Sequence, residues 1–361
     1  MTKKRTPVKS VRRKGRAITI HEVAARANVS PMTVSRVVNG RGTVSEATRE
    51  RVTRAIDDLG YRPNLAASSL ATAQHTCIAL IYTNPSSAYL RELLVGALNG
   101  SSRTAAQLVI ATWDGLDAEA QKNAARLLAR SVAGVILPPP LCESKAVIAE
   151  FKRAGVPVVS IASNQFSDEI SCVRIDDFNA SKEMTAFLIE RGHRRIGYIK
   201  GNPDQTASKH RLEGFMAALA EAELPHDGSL VQQGYFTYRS GLDAAERLLA
   251  VEPRPTAIFA SNDDMAAAVI SVAHRRGLDV PRDLSVVGFD DTSAATTVWP
   301  ELTTIHQPVA SMADAAIDIL LRTIRGAADG ASALVNHVAP HRLVTRDSVA
   351  PPRSKRKSAK P

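Results

Sequence analysis

Between Ile20 and Leu59 the apolar residues fall at helical spacing in three short bursts. Ile20, Val23, Ala24 and Ala27 share one face of a first helix, Val34, Val37 and Val38 supply the buried side of a second, and Val52, Ile56 and Leu59 point inward from a third. The punctuation agrees with this division. Thr19 is a good N-cap with Glu22 three residues on, where a capping-box acid belongs. Asn28-Val29 breaks the first helix; Ser30 caps the second, and Pro31 takes its first position, where a missing N–H costs nothing. The third helix starts at Ser45, and Gly60 is placed to end it. Met32 and Arg36, four apart, share another face of the second helix. Two helices joined by a short turn and closed by a third form the helix-turn-helix arrangement, whose second helix leads into the DNA major groove. From spacing alone, a three-helix corner of an ordinary globular domain remains the alternative.

From Cys77 the pattern changes. The short apolar runs CIALIYT, QLVIAT, GVILPP, VPVVSIA, CVRID, RIGYIK, TAIFAS and LSVVGF read as strands. Helices are expected over 88–105, 117–130, 143–154, 177–191, 207–222, 237–250, 263–276 and 308–325. Continuous Val/Ile-rich strands alternating with helices indicate parallel sheets covered on both faces. A segment of this length exceeds one ordinary core, so two subdomains are expected.

Charge narrows the reading. The chain is +10 overall, yet the excess lies at its ends. Residues 1–16 hold eight Lys/Arg and no acid, the last ten residues hold five and no acid, and the long body is net acidic. A basic arm beside a helix-turn-helix suits a polyanion, because neutralised phosphates release counterions. For the C-terminal PPRSKRKSAKP, DNA contact and a solvated tail weigh equally.

The segment from Thr19 to Gly40, T-I-H-E-V-A-A-R-A-N-V-S-x-x-T-V-S-R-V-V-N-G, continues through Val44-Ser45 to Tyr61-Arg62-Pro63-Asn64. It resembles the LacI/GalR family of bacterial transcription regulators, and the resemblance covers roughly residues 18–346. It implies an all-α helix-turn-helix head with a hinge helix, followed by a two-lobed α/β sensor of the type I periplasmic-binding-protein fold. The resemblance divides into the head (18–63), hinge and linker (64–76) and a body (77–346), and outside it lie a basic arm (1–17) and a basic tail (347–361), both expected to be disordered. In the body, lobe one takes about 77–175 and 306–335, and lobe two about 176–305 and 336–346, with crossings near 175, 305 and 335.

The resemblance also implies site residues. Pro31, Met32 and Arg36 would read bases. Hydrogen-bonded readout falls mostly to Arg36, since Pro31 has no donor and Met32 only a thioether. Ser30, Thr33, Ser35 and Asn39 would lie near phosphates; local helix hydrogen bonding is the other reading of Thr33 and Ser35. In the hinge segment, with Asn64 and Ala67, Leu70 matches the leucine that family members insert into the minor groove. In the cleft, Arg211, Asn262 and Asp290 match the polar ligand residues and Phe236 an aromatic platform. Asn84, Ser86 and Tyr89 would face them from the loop after the first strand. Asp263 and Asp291 read better as loop caps than as ligands. One departure stands out: some sugar-binding relatives carry an aspartate where this chain has Ala162, followed by Ser163-Asn164.

The expected partners are double-stranded operator DNA, a small-molecule effector (a sugar before a purine or other metabolite) and a second copy of the chain as a homodimer. A sugar-binding transport protein shares the body but has no use for Thr19–Thr72. An enzyme would need a nucleophile–base or metal constellation, and none is evident, so no catalysis, metal or cofactor is expected. Cys77, Cys142 and Cys172 lack metal or redox spacing, and His193 reads as a helix cap. The basic N-terminus lacks the apolar core of a signal peptide, and no apolar run could span a bilayer. These points favour a cytoplasmic, nucleoid-associated protein.

Overall fold

The computed structural model describes residues 19–38, 44–59, 76–83, 86–104, 106–164, 169–328 and 334–353. It divides into two compact units at the His75–Thr76 boundary. The first holds α1 (Ile20–Ala27), α2 (Pro31–Val38) and α3 (Glu46–Leu59). The capping box forms: the Thr19 backbone N–H donates to the Glu22 carboxylate at 2.7 Å and the Thr19 hydroxyl at 2.9 Å. Asn28 ends α1 at φ 52°, a left-handed conformation asparagine tolerates, and the Val29 N–H reaches back to the Ala24 carbonyl at 3.0 Å. Val23, Ala24, Ala27, Val34, Val52 and Ala55 form the buried centre, with Ile20, Val29, Val37, Ile56 and Leu59 against it. The side chain of Val38 lies outside the described residues.

The second unit begins with β1 (Cys77–Tyr82), α4 (Ser87–Thr104), β2 (Gln107–Thr112), α5 (Ala118–Leu128), β3 (Gly134–Leu137), α6 (Lys145–Arg153), β4 (Val158–Ile161) and β5 (Ser171–Arg174). Then come α7 (Asp177–Glu190), β6 (Ile196–Lys200), α8 (Thr206–Glu221), β7 (Val231–Gln233), α9 (Tyr238–Leu248), β8 (Ala257–Ala260), α10 (Asp263–Arg275), β9 (Ser285–Val287) and α11 (Ser293–Thr297). The chain closes with β10 (Thr304–His306), α12 (Val309–Ala328), β11 (Asn336–Val338) and β12 (Arg342–Val344). Two parallel sheets result, one in the order β11-β5-β4-β3-β1-β2 and one in the order β7-β6-β8-β9, while β10 and β12 pair antiparallel between them.

Helices cover both sheets at close range. A Cβ on Gly96 would lie 1.9 Å from the Ala310 carbonyl oxygen, so α4 and α12 meet backbone to backbone. A Cβ on Gly214 would lie 2.1 Å from the Phe178 carbonyl oxygen, which fixes the same intimacy between α7 and α8. One apolar cluster runs from Ile78, Leu80 and Tyr89 through Tyr198, Phe215 and Phe259, drawing on both lobes. Two further clusters lie one in each lobe, around Phe151 and around Ile258 and Leu284.

Three expectations are corrected. Residues 336–338, assigned to lobe two, form β11 and pair in parallel with Cys172–Arg174 in the first sheet. The reason is the outer edge of β5, whose backbone groups need a partner. Residues 347–353, assigned to a free tail, are held on the second lobe. Ser348 is fully buried, its hydroxyl donating to the Val286 carbonyl and receiving the Thr303 N–H at 2.9 Å. Strand β2, expected to be covered on both faces, is an edge strand with Ile110 exposed.

A buried acid ties α5 to α6. Glu150 accepts from Arg126 Nε and Nη2, both at 2.9 Å, and pairs with Arg153. The two guanidiniums pull its carboxyl from 4.5 down to about 2. A depressed acid adds stability that is present above its unfolded value and lost as pH falls through its folded value. Glu150→Gln is therefore expected to lower the urea midpoint near neutral pH. Its gap from the unaltered chain should close between about pH 4.5 and about pH 2; a gap constant across that range would refute the ion-pair assignment.

Candidate functional site

In the head, α2 is anchored by buried Val34, which turns Met32 and Arg36 outward. Met32 is 65% exposed, and Arg36 has no hydrogen-bond or ion-pair partner among the described residues. Pro31 is half-buried at the helix start. Ser30 Oγ accepts the Thr33 N–H at 3.2 Å and lies 2.9 Å from Thr33 Oγ1, so both hydroxyls are engaged locally. Ser35 is half-buried. Asn39, Asn64, Ala67 and Leu70 lie outside the described residues.

In the body, a cavity of about 350 Å³ opens between the lobes at the carboxyl ends of the strands, where ligands of open α/β sheets bind. Ser86 and Tyr89 reach it from the first lobe, and Arg211, Phe236, Asn262 and Asp290 from the second. Asn84 lies outside the described residues. Thus six residues scattered over the sequence converge on one space.

Each is set by its neighbours. Arg211, on α8, is buried; its Nε donates to Asp177 Oδ1 at 2.7 Å and its Nη1 to the Ser261 carbonyl at 2.6 Å. Asp290 Oδ1 lies 3.5 Å from the same Nη1, and the guanidinium carbon sits 3.6 Å from the Phe289 ring centroid. Burial pushes the Asp290 carboxyl well above the usual range, against the opposing pull of Arg211. Asn262 caps α10, its oxygen accepting the Met265 N–H at 3.0 Å while its amide nitrogen donates to the Phe236 carbonyl at 3.0 Å. Both ends of that amide position protein groups, so Asn262 acts by holding Phe236. The Phe236 ring in turn lies where a Cβ on Gly201 would sit, 1.9 Å from Cζ.

Several residues at the cavity were missed. Gln307, Gln205, Asn202, Tyr235 and the Pro139-Pro140 pair line it too, and only their place after a strand could have singled them out. Gln307 is informative. Its Nε2 donates to Asp290 Oδ1 at 3.2 Å, which fixes the amide orientation and leaves Oε1 buried without a partner among the described residues. The Tyr89 hydroxyl is likewise buried and unpartnered among the described residues, and burial raises its pKa. Buried polar atoms are normally satisfied, so two orphans on one cavity call for a ligand or water.

Asp263 is a cap as expected. It accepts from Thr304 Oγ1 at 2.6 Å, the Thr292 N–H at 2.8 Å and Thr292 Oγ1 at 3.2 Å, while burial holds its carboxyl at about 7. Asn164, beside the departure at Ala162, donates to Asp177 Oδ2 at 2.7 Å and receives Arg174 at 3.3 Å. It thereby links the first lobe to the acid that holds Arg211. His193 caps the end of α7 through its backbone, its N–H donating to the Leu188 carbonyl at 3.2 Å, while its ring does something more: Nδ1 lies 2.9 Å from Thr256 Oγ1 and Nε2 3.0 Å from the Ala350 carbonyl, pinning the C-terminal segment. Among the described residues no group of His, Cys, Asp or Glu could hold a metal ion, and no helix is long and apolar enough to cross a membrane.

A helix-turn-helix head followed by a two-lobed, cleft-bearing α/β body defines a ligand-responsive DNA-binding regulator. Residues 19–64 match the profile described as bacterial regulatory proteins, lacI family, and residues 185–349 that of a periplasmic binding protein-like domain. Catabolite control protein A of Priestia megaterium is 34% identical over 332 residues, spanning 92% of this chain and 99% of that protein. The HTH-type transcriptional repressor PurR of Escherichia coli O139:H28 is 34% identical over 340 residues, 92% and 97% of the two chains. Among solved structures, a lac repressor dimer bound to operator and the anti-inducer ONPF superposes with a TM-score of 0.80 at 28% identity, covering 93% of this chain and 100% of that one. A transcriptional regulator CelR–cellobiose complex gives 0.71 at 34% identity, covering 92% and 99%. The chain belongs to the lacI family of bacterial regulatory proteins; it is a DNA-binding transcriptional regulator and not an enzyme.

Arg211→Met would strand two buried carboxylates. It is expected to cost about 3–5 kcal/mol of unfolding free energy, read from urea denaturation of the full chain. Adding Asp177→Asn should recover part of that loss. A cost below about 1 kcal/mol, the range of a surface pair, would show that the guanidinium is not compensating them.

Proposed function

We propose that this regulator is a repressor whose operator affinity is set by a sugar held in the interlobe cleft. The observation that carries the sugar reading is the pair of unpartnered buried atoms, Tyr89 Oη and Gln307 Oε1, beside Asp290, Arg211 and the Phe236 ring. Gln307 Oε1 and the Asp290 carboxylate accept hydrogen bonds, Arg211 donates, and the Tyr89 hydroxyl does either. A ring bearing several hydroxyls answers this set, and its apolar face suits Phe236. The cellobiose named with one similar structure agrees with this class. A purine is the second reading. The apolar lining from Pro139, Pro140, Ala162 and Ala207 favours it, as does the likeness to repressors named PurR.

On the DNA side, Arg36 reads a base by paired hydrogen bonds and Met32 offers an apolar contact, with Pro31 beside it. Ser30, Thr33, Ser35 and Asn39 fix register on phosphates. Leu70, with Asn64 and Ala67, wedges the minor groove at the operator centre. The protein acts as a homodimer on a near-palindromic site; the exposed Val95, Leu98 and Ile110 give an apolar face on α4 and β2 for the second copy. Ligand in the cleft rotates the lobes and alters the hinge, with a coupling of about 1–3 kcal/mol between the two sites.

Two experiments test this. Arg36→Ala is expected to reduce operator affinity by about 1–3 kcal/mol more than affinity for random DNA, in salt-matched binding titrations; equal losses on both would make it a phosphate contact only. In a thermal-shift screen against sugars and purines, the chain should be stabilised by a member of the sugar panel. Asp290→Ala should lose that shift while still binding operator, and stabilisation by purines alone would replace the sugar reading.

A further inference from the structure

We propose that a second cavity, at the hinge between the lobes, binds the phosphate group of a small phosphomonoester. This cavity, about 430 Å³, is lined by His306, Pro308, Ser311, His337, His341 and Arg342, together with Ala339 and Pro340. Its size falls in the range of small-molecule sites, and no residue of the effector cleft lines it. It is built from two crossings of the hinge, where β10 leads into α12 and β11 leads into β12.

The polar part of the lining suits an anion. It contains three imidazoles, a guanidinium and a hydroxyl, and no carboxylate. Arg342, His337 and Ser311 have no side-chain hydrogen-bond or ion-pair partner among the described residues, so their donors remain to be used. Ser311 stands in the first turn of the 20-residue helix α12, where the helix end adds partial positive charge. The other two imidazoles are already oriented. His306 Nδ1 faces Asp291 at 3.0 Å, and His341 Nε2 faces Glu183 at 3.1 Å. Each carboxylate accepts a hydrogen bond from the nitrogen it faces, leaving His306 Nε2 and His341 Nδ1 unengaged by these carboxylates.

Charged groups stand around two of these imidazoles. Asp291 is itself neutralised by Arg346 at 2.6 Å, Glu183 comes from α7, and Asp176, at the start of α7, feels both His341 and Arg174. Arg342, Arg174 and Arg346 match these three carboxylates in number. A phosphomonoester keeps most of its second charge down to its second pKa of about 6. A bound phosphate spans both crossings, and His306 adjoins Gln307 of the effector cleft, so occupancy of one site bears on the other through a single peptide link.

The test is a titration of the full-length chain with glycerol phosphate, inorganic phosphate and uncharged glycerol, read from the imidazole proton–carbon NMR signals. These report on the cavity and are blind to phosphate gathered by the basic arms. Saturable shifts of His306, His337 and His341 are expected with glycerol phosphate and none with glycerol. Arg342→Gln and His337→Gln, both at exposed positions, should each weaken binding by about tenfold. If inorganic phosphate binds as tightly as the ester, the site stands with free phosphate as its occupant. Absence of saturation, or shifts unchanged by Arg342→Gln, would overturn the proposal.

Discussion

The body depends on the compensation of one buried guanidinium. Arg211 lies almost wholly out of water, where an unpaired charge costs several kcal/mol. Asp177, the Ser261 carbonyl, Asp290 and the face of Phe289 together meet that cost. These partners start α7, end β8 and follow β9, so one charge fixes the relative places of three elements at the cleft floor. Asp177 is in turn held by Asn164 from the first lobe. A ligand that engages Arg211 or Asp290 therefore acts on a bond that already runs between the lobes. This gives lobe motion a physical handle beyond the filling of a cavity.

The same region concentrates backbone strain. Ala162, Phe236, Asp290 and Asp291 take φ of 60°, 61°, 104° and 57°, in the left-handed range that side chains disfavour. All four stand just past the ends of strands that face the cleft. Such conformations cost about 1–3 kcal/mol each and persist where the surroundings over-determine them. Here the surroundings are visible: the Asp290 N–H donates to Ile305, Asn262 grips the Phe236 carbonyl, and Asp291 is held between His306 and Arg346. The strain aims the side chains of Phe236 and Asp290 into the cavity rather than along their strands.

Much of the head was legible in the chain because its rules are local. Caps, the Asn28 break, the Pro31 start and the apolar spacing act within a turn or two, and the three helices fall where those signals put them. The alternation of apolar runs and helices likewise announced two parallel sheets. Short strands were less legible: β7, β10, β11 and β12 are three residues each, too brief to show a period. Their pairing is decided by which sheet edges lack partners. That is why residues 336–338 joined the first sheet and why Ser348 closed onto β9.

In the cleft, the family likeness named Ser86, Tyr89, Arg211, Phe236, Asn262 and Asp290, and all six line one cavity. It could not apportion their duties. Asn262 spends its amide on the protein, Asn164 serves Arg211 through Asp177, and Gln307 turns an unpaired oxygen into the space. Local sequence determined the helices, the longer strands and the residue types available at each strand end, because caps and periodicity act over a few residues. Only the tertiary structure decided which polar atoms are spent on one another and which are left for a ligand, because hydrogen-bond satisfaction joins residues more than a hundred positions apart and is settled when the lobes pack.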